Sequence, residues 1–309
     1  MKRVVSVSIG SSKRDKKVEI DLLGEHFCIE RVGTDGDKQK AIDRIKQLDG
    51  QVDAIGLGGI DLYLRCANRR YVIRDAEILA KAARKTPVVD GGELKGTLER
   101  RVIFYLQEHG IIDFKGTKVL LVSGMDRFGM AEALEQLGAD LVIGDLIFAL
   151  GVPIRIRSLK TLDFLARLLM PALTRLPFEV LYPTGKEQGK RVKKFWRFYD
   201  EAEVIAGDFH FIYRHLPDRI DGKVIITNTV TAQDVEELKA RGARMLVTTT
   251  PEMDGRSFGT NVLEGVLISL SGKRPEELTD ADYEQLLDRL NFIPRIEIFA
   301  PQAAEGEKR

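Results

Sequence analysis

Val119-Leu120-Leu121-Val122-Ser123-Gly124-Met125-Asp126-Arg127-Phe128-Gly129-Met130-Ala131 is the stretch on which the reading of this chain turns. An apolar β-type run enters a glycine turn and leaves as a helix over residues 130–137, which ends at Gly138. Such a turn aims the first amides of the helix at a phosphate, and the helix dipole adds partial positive charge there. Gly124, Asp126, Arg127, Phe128 and Gly129 are therefore candidate cofactor-binding residues. After one further strand, Asp145 lies 21 positions beyond Gly124. An acid near that spacing accepts hydrogen bonds from adenosine ribose hydroxyls and repels a 2′-phosphate, which favours NAD over NADP. The dinucleotide fingerprint is G-x-G-x-x-G, and here Asp126 stands at its second glycine. A carboxylate there opposes pyrophosphate unless it swings away or pairs with Arg127. Dinucleotide binding and a strand–helix turn that binds none both stay open.

Working outward, strand signals recur at 118–123, 140–144, 178–182, 203–207, 223–227 and 244–248, with helices between them. Six such strands make a doubly wound, Rossmann-type parallel sheet. The apolar run 152–156 has no place in that count. Before it, runs at 4–9, 26–32, 52–57 and 87–89 alternate with helical patterns at 38–48, 75–83 and 94–108, which predicts an N-terminal α/β domain. The reading is thus an α/β protein with an N-terminal substrate domain over 1–113, a Rossmann-type domain over 114–272, and a C-terminal helix and tail over 273–309. Thr279 is the expected cap of that last helix. Residues 158–176 read as a strongly apolar helix interrupted by Pro171, a face suited to a homodimer.

In open parallel sheets, ligands sit beyond the carboxyl ends of the strands. Here those ends are polar throughout: Thr184 after the third strand, Asp208-Phe209-His210 after the fourth, Asn228 after the fifth, and Thr248-Thr249-Thr250-Pro251 after the sixth. The first domain repeats the pattern with Ser11-Ser12-Lys13, Gly58-Gly59-Ile60-Asp61 and Asp90-Gly91-Gly92-Glu93-Leu94-Lys95. Two sheets facing a common cleft would enclose a small-molecule substrate beside a cofactor. Thr184, Asn228 and Thr248 join the cofactor candidates.

Composition removes other classes. A net charge of +1 gives no global attraction to nucleic acid or to an anionic membrane. Val192, Phe195, Trp196 and Tyr199 share one helical face, so the basic–aromatic stretch 190–199 reads as an amphipathic helix rather than a nucleic-acid site. No run approaches the ~18 apolar residues of a membrane span. The two cysteines, Cys28 and Cys66, form no CxxC or metal cluster and read as buried thiols. With no signal-peptide pattern at residues 1–7, a cytoplasmic protein without metal is the expectation.

The Gly124 turn, the six-strand continuation and Thr248-Thr249-Thr250-Pro251 together resemble the shikimate/quinate dehydrogenase superfamily, and more closely the bacterial proteins labelled quinate 5-dehydrogenase. The resemblance implies an NAD(P)-dependent oxidoreductase acting on a small hydroxylated, carboxylate-bearing metabolite. It also implies a Lys and an Asp around the substrate hydroxyl, the Lys within a V-T-x-P-x-K segment. This chain has no such segment; Lys95, five residues after Asp90, is the nearest chemical counterpart.

Hydride transfer from an alcohol needs a relay for the hydroxyl proton and a cation to polarise the carbonyl. Lys95 with Asp90, or His210 with Asp208, are the candidate catalytic pairs, and a lowered Lys95 pKa would suit proton exchange near neutrality. Ser11, Lys13, Arg65 and Arg256 are candidate substrate-binding residues, the cations for a carboxylate. A non-catalytic nucleotide or small-ligand binder, or a nucleotide-sugar-dependent transferase or epimerase, fits the same two-domain plan.

Overall fold

The computed structural model describes residues 1–67, 69–177, 191–250, 252–253, 256–257 and 259–300. The strand expected at 178–182, and with it Thr184, lies outside the described residues.

Two α/β units follow one another along the chain. The first contains β1 (Lys2–Ser8), β2 (Lys16–Leu22), β3 (Glu25–Gly33), α1 (Lys38–Leu48), β4 (Ala54–Gly58), the hairpin β5 (Tyr63–Cys66) and β6 (Arg69–Val72), α2 (Arg74–Ala80) and β7 (Val88–Val89). Its sheet runs β2-β3-β1-β4-β7, parallel except for β2, which pairs antiparallel with β3. The hairpin between β2 and β3, turned by Leu23 and Gly24 at positive φ, was not foreseen. β3 matches the run expected at 26–32, whereas β2 mixes charged and apolar residues, so no apolar run marks it.

The second unit begins with α3 (Gly92–Glu108), β8 (Lys118–Leu121), α4 (Phe128–Gln136), β9 (Asp140–Ile143) and α5 (Leu159–Leu173). There follow α6 (Trp196–Glu201), β10 (Val204–Ala206), α7 (Phe209–His215), β11 (Val224–Thr227), α8 (Ala232–Ala240) and β12 (Met245–Thr248). A short β13 (Glu252–Met253) and β14 (Arg256–Ser257), then α9 (Thr260–Ser271), α10 (Asp280–Arg289) and β15 (Arg295–Ile298), complete it. The order is β9-β8-β10-β11-β12-β15, five parallel strands and an antiparallel edge. The last strand, Arg-Ile-Glu-Ile, alternates polar and apolar residues and leaves Ile298 exposed, so it gave no buried-strand signal. The apolar run 152–156 forms no strand; Ile156 makes one antiparallel bridge to Ile143 at the outer edge of β9.

Side-chain alternation explains the layers. Val5 and Val7 of β1 face α1 and α2 with Ile45, Ile55 and Leu79, whereas Val4 faces the other way, onto Val262 and Val266 of α9. The helix that covers this second face of the first sheet therefore comes from near the end of the chain. In the second sheet Val119, Leu121 and Val247 pack toward α3, α4 and α10, while Leu120, Ile205 and Leu246 pack toward α6, α7 and α8. Both sheets are covered on both faces, as buried parallel strands require.

Some helices differ in detail from the pattern. Phe195 takes a positive φ and α6 starts only at Trp196, with Phe198 and Tyr199 in the core. α5 runs on through Pro171. Thr279 caps α10 in a reciprocal box with Asp282. No helix among the described residues is long and apolar enough to cross a membrane, and Cys28 and Cys66 are buried free thiols.

Candidate functional site

The carboxyl ends of β1 and β4 face those of β10 and β11 across a cleft, and together they enclose a cavity of about 230 Å³. Ser6, Ser8, Gly58 and Asp61 line it from the first unit, Asp126, Asp208, His210 and Asn228 from the second, and Thr260 and Asn261 from the start of α9. Asn261 donates from Nδ2 to Ser6 Oγ at 2.7 Å, which ties α9 to the wall formed by β1.

Lys95, on the first turns of α3, lies between two carboxylates. Its Nζ is 3.0 Å from Asp61 Oδ1 and 2.7 Å from Asp126 Oδ1, and its side chain is 12% exposed. Burial alone would pull the ammonium down, but Asp126 and Asp61 outweigh it and hold the pKa above its ordinary value. The lowered Lys95 pKa expected from the sequence is thus reversed. Its partner is also different: Asp90 accepts from the backbone N–H groups of Leu62 (2.5 Å) and Gly92 (2.9 Å), not from Lys95. Burial, then Asp61, pushes the Asp90 carboxyl up to about 6.

Asp126 continues the chain of charges. Its second oxygen meets Arg127 Nε at 3.3 Å, and Arg127 pairs with Glu99 and, at 3.3 Å, with Asp208. Burial raises the Asp126 pKa, but Lys95 and Arg127 more than offset it and keep the group ionised. The aspartate that breaks the glycine fingerprint therefore pairs with Lys95 and Arg127 rather than facing a pyrophosphate.

Asp208 caps α7, accepting from the N–H of His210 at 2.9 Å and from Asn228 Nδ2 at 3.0 Å. Burial opposes its charge, yet Arg127 and the hydrogen bonds from Asn228 and the His210 amide hold its pKa below the usual value. His210 Nε2 faces Arg14 NH1 of the first unit at 2.9 Å.

The Gly124 turn is closed by the chain itself. Asp145 accepts from the amides of Gly124 (2.7 Å) and Met125 (3.0 Å). Asp145 was expected on a ribose; it is instead engaged by the turn, and burial pushes its pKa up to about 6 against those two bonds. A Cβ at Gly124 would meet Ile143, Leu162 and Asp145 within 3.3 Å. At Gly129 it would lie 2.5 Å from the Gly96 carbonyl oxygen, so this glycine serves the α3–α4 contact. In this arrangement two of the turn amides that a dinucleotide phosphate would use are already taken by Asp145.

The cleft thus brings together Lys95, Asp90, Asp126, Arg127, Asp208, His210 and Asn228. Other candidates lie elsewhere. Ser11 Oγ accepts from the amide of Lys13 in a short 3-10 turn, which leaves both outside the cavity wall. Arg65 pairs with Glu93 and Asp280, and Phe128 lies with it on an adjoining crevice that shares Lys95, Asp126 and Arg127 with the cavity. Thr248 is buried and donates to the Thr250 carbonyl. The side chain of Arg256 lies outside the described residues. Sequence reading missed Arg14, Arg31, Glu99 and Asn261, and noted Asp61 only as part of a polar strand end.

Glu264 of α9, buried outside the cavity wall, accepts from the Gly91 amide (2.6 Å) and from Tyr283 Oη of α10 (2.9 Å). Burial and the neighbouring Asp90 push its carboxyl up to about 8. Gly91 has φ +91°, and a Cβ there would lie 2.6 Å from the Asn261 amide nitrogen.

The chain belongs to the family described as Domain of unknown function (DUF8754), which matches residues 93–299. A second family, Domain of unknown function (DUF8753), matches residues 3–90. The two matches meet at Gly91-Gly92, where α3 leaves the first sheet. No curated protein matches the chain. Among solved structures, a glutamate dehydrogenase from Thermus thermophilus is 13% identical over 94% of this chain and 74% of that one, with a TM-score of 0.42. An NAD-dependent malic enzyme from Thermotoga maritima is 13% identical over 94% and 84%, TM-score 0.35. A glucose-galactose binding protein from Geobacillus stearothermophilus is 10% identical over 96% and 97%, TM-score 0.38. At this level of likeness no residue or ligand carries over.

Proposed function

We propose that the chain binds a small hydroxylated metabolite in the cleft between its two units, with Lys95 as a fixed cation and Asp61 and Asp126 as hydroxyl acceptors. One observation carries the reading: polar strand ends of both units converge on one cavity around a buried, doubly paired lysine. The cavity of about 230 Å³ falls below the ~300–1,000 Å³ of pockets for drug-sized ligands, so its occupant has the size of a monosaccharide or an amino acid. Because Lys95 stays protonated, it donates to a ligand oxygen rather than abstracting a proton. Asp126 and Asp61 orient it and complete the polar floor.

A second reading, an NAD(P)-dependent oxidoreductase acting on such a metabolite, is favoured by the parallel sheet with the Gly124 turn at the end of β8. It requires Asp145 to release the amides of Gly124 and Met125.

Thermal melting against monosaccharides, hydroxy acids, NADH, NADPH and a uridine nucleotide separates these readings. A ligand at 100 times its Kd adds about 2.7 kcal/mol of stability. A hydroxylated monomer is expected to raise Tm, and Lys95→Met to abolish the rise. A rise with NADH that Asp145→Ala weakens favours the second reading; no rise with any hydroxylated monomer refutes the first.

A further inference from the structure

We infer that one end of the cleft is an anion site, in which Arg14, Arg31 and His210 hold an acidic group of the ligand and His210 takes up one proton as it binds. This rests on the cleft being the binding site. The observation behind it is the contact of Arg14 NH1 with His210 Nε2 at 2.9 Å, a bridge from the first unit to the second. A guanidinium has only donors, so Nε2 must offer its lone pair. His210 is therefore neutral, with its proton on Nδ1.

The charges around the half-buried ring are closely opposed. Burial disfavours the imidazolium, as do Arg14 from the 3-10 turn and Arg31 from β3; Asp208 of its own cap and Asp234 of α8 favour it. Arg214, on the same helix as His210, also lines the cavity. The balance falls on the neutral side, with His210 titrating below its ordinary value. Arg31 donates to Ser8 Oγ at 2.9 Å on the cavity wall and pairs with Asp15 at 2.8 Å. Overall six cationic side chains and four carboxylates line the cavity. Three of those carboxylates, Asp61, Asp126 and Asp208, are paired with Lys95 or Arg127.

An anion entering between Arg14 and the ring accepts the guanidinium's hydrogen bonds. Nε2 then loses its donor and faces an oxyanion. It binds one proton, taken from solvent or from the ligand's own acid, and donates that proton to the same anion. No covalent bond changes. An opposite charge within ~4–6 Å typically raises such a group by about one to three pH units. Carboxylate and phosphate share this chemistry.

Histidine NMR on the full chain tests the inference, since there are only four histidines. His210 is assigned by His210→Gln, or by elimination with Gln at His26, His109 and His215 where that variant does not fold. Without added anion, His210 should show the Nδ1–H tautomer at pH 7. Saturating malonate or inorganic phosphate should raise its titration midpoint by about one pH unit or more, and calorimetry in two buffers should show net proton uptake. The anion with the larger effect identifies the acidic group as carboxylate or phosphate. Arg14→Gln should abolish the effect of the anion while His210 still titrates. A His210 already cationic at pH 7, or unmoved by both anions, overturns the inference. If a neutral monosaccharide still raises Tm in that case, the cleft reading stands without the anion site; if nothing binds, both fall.

Discussion

Replacing Arg127 by Met removes the cation that three carboxylates share. Arg127 is 2% exposed and its partner Glu99 is 1% exposed, while Asp126 and Asp208 each lie 3.3 Å from other nitrogens of the guanidinium. At an effective dielectric of ~20, each 3.3 Å contact amounts to about 5 kcal/mol of gross attraction. Desolvation of the ions takes back most of that sum, and removing one member of such a pair typically costs about 3–5 kcal/mol because buried charge is left uncompensated. The variant should lose that much in urea unfolding. With about 2–4 °C of Tm per kcal/mol for a unit of this size, the melting point should fall by roughly 6–20 °C. Arg127→Met combined with Glu99→Leu should recover much of the loss, since replacing both ions with apolar groups is often near neutral. Asp126 would keep Lys95, and Asp208 would keep Asn228 and the His210 amide. A loss below about 1 kcal/mol in the single variant, or a double variant no better than the single, refutes the reasoning.

Two further perturbations probe the frame of the site. Glu264, raised by burial from its ordinary 4.5 to about 8, binds its proton more tightly in the folded chain than in the unfolded one. Its contribution is fully present below pH ~4.5 and is lost as pH rises to about 8, a span of roughly 5 kcal/mol at most. Glu264→Gln should flatten stability against pH across that window; identical slopes in the two proteins would remove the carboxyl from the account. Gly129→Ala places a Cβ 2.5 Å from the Gly96 carbonyl oxygen and should cost about 1–3 kcal/mol by forcing α3 and α4 apart. Gly96→Ala meets no atom within 4 Å and should leave stability unchanged or raise it by up to ~1 kcal/mol. Equal effects of the two alanines in urea unfolding would contradict the close approach.

The second sheet was legible because buried parallel strands are short apolar runs ended by glycine or a hydroxyl residue, and β8 to β12 each follow that rule. β15 escaped because it is an edge strand with one solvated face. The role of α9 escaped for another reason: its residues 260–268 are buried nearly all round, so periodicity could not show which sheet each side faced. Within the site, the strand-end rule located Asp61, Asp90, Asp208, His210 and Asn228 without naming their partners. Lys95 and Asp126 are 31 residues apart, and Arg14 and His210 are 196 apart. The first pairing depends on how α3 packs on α4 and the second on how the two units dock, and no local pattern encodes either.

Asp145 shows why spacing alone misled. A β–α–β unit of this length brings a carboxylate at the end of its second strand close to the amides of the first turn, whether or not a ribose lies between them. What that carboxylate bonds depends on the rest of the turn. Asp126 is turned onto Lys95 and Arg127, and turn amides left unsatisfied away from water cost about 1–3 kcal/mol each. Asp145 is within reach and satisfies two of them at 2.7 and 3.0 Å. A dinucleotide would therefore have to displace Asp145 from the amides, whereas a small ligand in the cleft leaves that turn as it is.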